Sequence, residues 1–186
     1  MNIIFTKPSK KDLEIISKQL QLKNMNIQEN SIIGIAQRCV YGCPKIVVIS
    51  PIYECNNLPS FIANPIWLSC PYINEKIHKI EDNGFIKKIT DFINSDRAQI
   101  DSMSDAHAHF YFFRKKIYRW AAFTNYPEEM IPLFNKGIGG LSSAVYLKCL
   151  HMHYAHYQFC SSNLAGHVTT ALLNFDTVCS NGKCKN

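Results

Sequence analysis

Ile32-Ile33-Gly34-Ile35-Ala36-Gln37-Arg38-Cys39-Val40-Tyr41-Gly42-Cys43-Pro44-Lys45-Ile46-Val47-Val48-Ile49-Ser50 is the stretch that decides the fold. Two runs rich in β-branched residues, 32–38 and 45–50, flank a connection that contains a Gly and a Pro. Branched side chains suit a pleated surface, and a short Gly/Pro connection turns one strand back on the other. The stretch therefore predicts an antiparallel hairpin with Cys39 and Cys43 flanking its turn. Further along, Ile66-Trp67-Leu68-Ser69-Cys70, stopped by Pro71, predicts a third short strand. The intervening residues 51–60 hold two Pro and two Asn and read as a loop.

Outward from this sheet the periodicity changes to that of helices. Residues 9–22 place Leu13, Ile16, Leu20 and Leu22 near one stripe, and Ser9 is a suitable cap. Ile73, Ile77 and Ile80 predict a helix over 72–82, with Gly84 as its stop. Phe85, Ile86, Ile89 and Phe92 predict another over 85–94, and an aromatic run predicts a long helix over 97–122. Pro127 and Pro132 break the next stretch, and Gly137-Ile138-Gly139-Gly140 reads as a flexible loop. Helices are expected over 143–160 and 166–175. The order of elements argues for an α+β fold: a small antiparallel sheet, a hairpin plus a third strand, packed with several helices. One domain over 1–186 is expected, with an N-terminal helical arm (1–30) and a polar, Cys-containing tail (176–186).

Composition narrows the function classes. The chain has 186 residues, 47% of them hydrophobic, with 11 Phe, 9 Tyr and 2 Trp, enough to build a core without staples. The net charge of +6 favours acidic partners without demanding nucleic acid. No apolar run reaches the ~18 residues of a membrane span, and the first residues are too briefly apolar for a signal peptide. A cytoplasmic location is the expectation. There, eight cysteines shift weight from disulfides toward metal or redox chemistry. The plain alternative is that each cysteine is a small buried hydrophobe.

Cys39 and Cys43 flank a turn, Cys70 ends a strand, and Cys179 and Cys184 sit in the tail. Cys149 opens a run that also holds His151, His153, His156 and Cys160. At ~100° per residue, positions 149, 153, 156 and 160 of a helix share a stripe, while 151 points off it. Thiolates and imidazoles are the ligands zinc prefers, and thiolates alone can hold an iron–sulfur cluster. A core-facing stripe of hydrogen-bonded imidazoles stands against this.

Several segments together resemble the bacterial domain-of-unknown-function family 501 (DUF501). They are Arg38-Cys39-Val40-Tyr41-Gly42-Cys43-Pro44, Trp67-Leu68-Ser69-Cys70-Pro71, Ile80-Glu81-Asp82-Asn83-Gly84, Gly137-Ile138-Gly139-Gly140, and Lys148-Cys149-Leu150-His151 through His156. Asn163 and Gly166 match a further short motif. The resemblance spans residues 32–175 and implies a cytoplasmic bacterial protein. It places Cys43, His153 and Cys160 outside the shared pattern, which turns the expected metal ligands toward Cys39, Cys70 and Cys149, with Cys179 or Cys184 as the fourth. Phe61-Ile62-Ala63-Asn64 and Leu164 depart from the family's pattern, which has prolines at both places. The resemblance carries no activity, only an association of its genes with those for a septum-formation protein and an exopolyphosphatase.

Three functions compete. The first is a metal-binding protein, zinc favoured over an iron–sulfur cluster. The second is an enzyme acting on a phosphorylated or otherwise anionic small molecule, with Arg38, Lys148, His151 and His156 as a cationic set. The third is a non-catalytic module for nucleic acid or a protein partner. It is motivated by the helix that carries His107, His109, Phe110, Tyr111, Phe112, Phe113, Tyr118 and Trp120 with Arg114, Lys115, Lys116 and Arg119 interleaved. An aromatic core face with a solvated basic face explains the same helix. Adjacent carboxylates Glu81 and Asp82 point apart on a helix and are expected in solvent.

Overall fold

A computed structural model describes residues 5–22, 27–55, 58–122, 136–174, 176–180, 182 and 184, with the backbone alone at 53–55, 58–61 and 119–122. The chain is α+β. The expected hairpin is present as β1 (Ile32–Arg38) and β2 (Pro44–Ile49), paired antiparallel with Ile35 opposite Val47 and Arg38 opposite Pro44. The third strand, β5 (Ile66–Leu68), pairs with the other edge of β2, so the order is β1-β2-β5.

β2 is central, and all six of its residues are buried. Its side chains alternate between two hydrophobic clusters, as the two-residue period of a strand requires. Ile46 and Val48 join the larger cluster, with Ile66, Leu68 and the helices. Val47 and Ile49 join the smaller one, with Ile16, Leu22 and Ile27. Ile16 lies on α1 (Lys10–Leu20), which covers that second face of the sheet. Ser9 and Asp12 cap α1 reciprocally: Ser9 Oγ accepts from Asp12 N at 3.2 Å, and Asp12 Oδ2 accepts from Ser9 N at 2.9 Å.

The first face is covered by the remaining helices: α2 (Pro71–Asp82), α3 (Phe85–Asn94), α4 (Arg97–Ala122), α5 (Leu150–Tyr157) and α6 (Leu164–Leu172). Gly84 ends α2 in the left-handed region at φ 75°. Gly166 lets α6 lie directly on α5, because a Cβ there would stand 2.3 Å from the His153 carbonyl oxygen. No helix among the described residues is long and apolar enough to cross a membrane.

Four expectations need correction. Residues 51–60 are not a loop. β3 (Ile52–Cys55) and β4 (Leu58–Phe61) form a separate two-stranded ribbon with Glu54 opposite Pro59. Both strands of a ribbon are edges, where the missing N–H of a proline is tolerated. Gly137-Ile138-Gly139-Gly140 holds a defined 3-10 turn over Ile138–Gly140, with the Gly139 N–H on Asn64 Oδ1 at 3.0 Å.

The helix expected over 143–160 shrinks to α5. Ser143 Oγ takes the Val145 N–H at 3.3 Å, a local bond that competes with helix. Cys149 is then the residue before the helix, in extended conformation, and Cys160 lies beyond its end. The four-residue stripe reduces to His153 and His156. Finally, Arg114 is not on a solvated basic face: it is 1% exposed, stacked over Phe110, and donates to the Lys136 carbonyl at 2.7 Å. Pro127, Pro132, Arg119 and Trp120 lie outside the residues whose side chains are described.

Candidate functional site

The β1–β2 turn is built to present two thiols. Cys39 N donates to the Cys43 carbonyl at 2.9 Å, and Gly42 N donates to the Cys39 carbonyl at 2.9 Å. Gly42 sits at φ 79°, a conformation that costs glycine nothing. Arg38 locks the turn from outside: Nη1 donates to the Gly42 carbonyl at 2.9 Å, and the guanidinium grips Asp12 of α1 at 2.7 and 3.0 Å. Cys70 directly precedes α2, with Pro71 as the first helical residue. The tail folds back over both: Tyr41 Oη donates to the Cys179 carbonyl at 2.8 Å, and Asp176 pairs with Lys76 and accepts from Tyr72.

Together these segments enclose a cavity of about 10 Å³, lined by Cys39, Cys43, Cys70, Cys179 and Cys184 along with Val40, Tyr41 and Pro44. That is room for roughly one water-sized occupant. None of the five cysteines is in a disulfide. Burial pushes the Cys70 thiol up, and the nearby Cys184 and Cys179 push it the same way, against the N–H groups of Ile73 and Tyr72. Cys184 is likewise raised, chiefly by burial. Lys45 is buried beside them; burial lowers its pKa while Cys70 and Cys39 raise it. Burial thus favours the neutral thiols of Cys70 and Cys184.

A second constellation joins α2 to the start of α5. His78 and Glu81 are three residues apart on α2, hence on one face. Glu81 Oε1 accepts the Leu150 N–H at 2.6 Å and faces His151 Nδ1 at 3.3 Å. His151 Nε2 meets the Asn74 carbonyl at 3.1 Å, and Cys149 Sγ lies 3.5 Å from His151 Nδ1. Burial raises the Cys149 thiol, and the Glu81 charge raises it further. Glu81 is therefore not a solvated partner of Asp82 but a helix cap and a histidine neighbour.

A third constellation is an interior polar network. Asn163 Nδ2 donates to His156 Nδ1 at 3.0 Å, which leaves His156 Nε2 to donate to His109 Nδ1 at 2.9 Å. Asn163 Oδ1 accepts from His153 Nδ1 at 3.2 Å and from Gly166 N at 3.0 Å, where it caps α6. Burial holds His153 down to about 3 and His156 well below the ordinary imidazole range. These imidazoles are neutral at pH 7.

Among the described residues, two sets of three His, Cys, Asp or Glu side chains have ligand atoms all within 4.8 Å of one another: His78, Glu81 and His151, and His109, His156 and Cys160. The second set is already satisfied by its own hydrogen bonds. The cavity's five thiols are not such a set; they line a void.

The structure brings Cys39, Cys70, Cys179 and Cys184 to one cavity and adds Cys43, which the sequence patterns set aside. It sends Cys149 to Glu81 and His151 instead. The cationic set does not assemble. Arg38 is held by Asp12, Lys148 packs against Gly139, His151 faces Glu81, and His156 is neutral inside the helices. Sequence reasoning missed His78, whose three-residue spacing from Glu81 on an expected helix was the available signal. It also missed His109 as the partner of His156, for which no local signal exists.

A family model described as "Protein of unknown function (DUF501)" matches residues 35–171, from β1 through α6. The match includes Cys39, Cys70, Cys149 and His151 and stops short of Cys179 and Cys184. No curated protein and no solved structure matches the chain.

Proposed function

The chain belongs to the DUF501 family, and from that premise and its thiol-lined cavity we propose that it is a metal-binding protein that holds zinc with thiolates from the hairpin turn, the start of α2 and the tail. The observation that carries this reading is the convergence of five cysteines, from three segments far apart in sequence, on one water-sized void. Cys39 and Cys70 with Cys179 and Cys184 supply a four-thiolate set, and Cys43 stands beside them. Four sulfurs about 2.3 Å from a tetrahedral zinc stand about 3.8 Å from one another, and no three of these thiols stand within 4.8 Å of one another without the ion, so binding has to draw them inward. The size of the void favours a single ion over a multi-iron cluster.

A largely enclosed site suits a structural role, tying the tail to the sheet and to α2. Binding must expel the thiol protons that burial retains on Cys70 and Cys184, so affinity rises with pH. Elemental analysis of anaerobically purified protein is expected to give about one zinc per chain. Cys39→Ser combined with Cys184→Ser is expected to abolish that content, and a chelator is expected to lower the unfolding temperature. Metal-free protein whose stability ignores chelator overturns the reading.

A further inference from the structure

The thiol cavity leaves the cluster at the α2–α5 junction without a role. We propose that His78, Glu81 and His151 form a second, solvent-reachable site for a divalent transition metal, with the Cys149 thiol as its fourth ligand. The argument begins with donors and acceptors. The Asn74 carbonyl can only accept, so His151 Nε2 carries a hydrogen and donates it at 3.1 Å. In the neutral ring, Nδ1 then presents a lone pair, and it points at a carboxylate oxygen of Glu81 3.3 Å away. Two acceptors face each other. A cation between them would join both; without one, the Cys149 S–H, 3.5 Å from Nδ1, is placed to donate to that lone pair.

Geometry favours the cation. His78 brings a third ligand atom to the same point, with all three atoms inside 4.8 Å. An imidazole–carboxylate ion pair has no use for it, yet its ring lies tilted against that of His151 with the centroids 4.4 Å apart. Moreover, the Nε2–H bond to a backbone carbonyl is the outer-shell contact that fixes a metal-bound histidine, leaving Nδ1 free to ligate.

Cys149 Sγ, 3.5 Å from that nitrogen but outside the group of three, is placed to add one sulfur to two nitrogens and one oxygen once its side chain turns toward the ion. Such a mixed set suits zinc or cobalt rather than magnesium or calcium. On binding, the Cys149 S–H bond breaks, its proton leaves to solvent, and a metal–sulfur bond takes its place.

This site shares no ligand with the thiol cavity, so the two readings stand or fall separately. Cobalt(II) titrated into protein that carries one zinc per chain, held in the thiol cavity, is expected to bind at one further equivalent and to show a thiolate-to-cobalt charge-transfer band. His78→Ala lies on an exposed side chain that the fold does not need. It is expected to weaken cobalt binding at least about tenfold, and Glu81→Gln similarly, since each removes one of four ligands. Cys149→Ser is expected to erase the charge-transfer band while cobalt's ligand-field absorption remains. In each variant the zinc content of the thiol cavity stays unchanged. Protein with one zinc per chain that takes up no cobalt overturns the proposal, as does uptake indifferent to both His78→Ala and Glu81→Gln. Binding with no charge-transfer band removes Cys149 from the ligand set.

Discussion

The Glu81 carboxylate accepts a 2.6 Å hydrogen bond from the backbone N–H of Leu150, sixty-nine residues away in sequence. One helix thereby caps another. Cys149, which precedes α5, makes no side-chain capping bond of its own, so the negative end of Glu81 meets the positive end of α5. Glu81→Ala is expected to cost about 1–2 kcal/mol, the usual loss for a helix cap. Glu81→Gln, which keeps an acceptor oxygen, is expected to cost less. Urea unfolding in the presence of chelator reads the difference with any bound metal removed; equal stability of wild type and Glu81→Ala would show that the cap is dispensable.

Asp12 ties the N-terminal helix to the thiol-bearing turn through Arg38. The guanidinium holds the Asp12 carboxyl well below the usual carboxylate range, helped by Ser9 and opposed by burial. A depressed carboxylate pKa contributes stability that is present above its unfolded value and lost as pH falls through the folded one. Because the Arg38 side chain is 36% exposed, screening reduces the pair's worth to about 1 kcal/mol. Asp12→Asn should therefore destabilise by about that much at pH 7, and the gap to wild type should close below about pH 4. A gap constant from pH 7 to pH 3 in denaturant titrations would refute the ion-pair account.

The interior histidines give a second acid sensitivity at higher pH. His153, held down to about 3, and His156, also depressed, are lowered by burial, so folding favours their neutral forms. Stability from such groups is complete above the unfolded imidazole value and declines as pH falls below it. By pH 5, His153 alone should cost about 2 kcal/mol. His153→Gln should flatten the slope of stability between pH 6.5 and pH 5. If that slope is unchanged, the histidine network is not its source.

Tyr41 links the hairpin turn to the tail through its 2.8 Å bond to the Cys179 carbonyl. A neutral hydrogen bond is worth about 1 kcal/mol, or roughly fivefold in an equilibrium constant. Tyr41→Phe should therefore weaken zinc retention by the thiol cavity about fivefold in competition with a chromophoric chelator. Retention identical to wild type would mean that the tail is positioned without this contact.

Arg38, Cys39 and Gly42 show how much of this was legible along the chain. A turn between two β-branched runs is a local event, so the hairpin and its pair of thiols follow from neighbouring residues, whereas the shifts in its register do not. The same holds for α1, capped by Ser9, and for α2 to α4, whose apolar spacing repeats within each helix. Where periodicity was ambiguous the reading failed. Residues 143–149 look helical by composition, yet local serine bonds hold them out of the helix, and α5 starts only where a distant carboxylate supplies its cap. That single shift removes Cys149 from its expected stripe and delivers it to Glu81 and His151.

By itself, then, the sequence determined the α+β class, the central hairpin, the helices of strong period and the wealth of cysteine. Which thiols meet was decided only by tertiary structure. The tail has no periodicity that fixes where it lies; it is placed by Tyr41, Tyr72 and Lys76, all far away along the chain. His78, Glu81 and His151 likewise converge because α2 packs against α5, and packing between helices depends on contacts that no local pattern encodes.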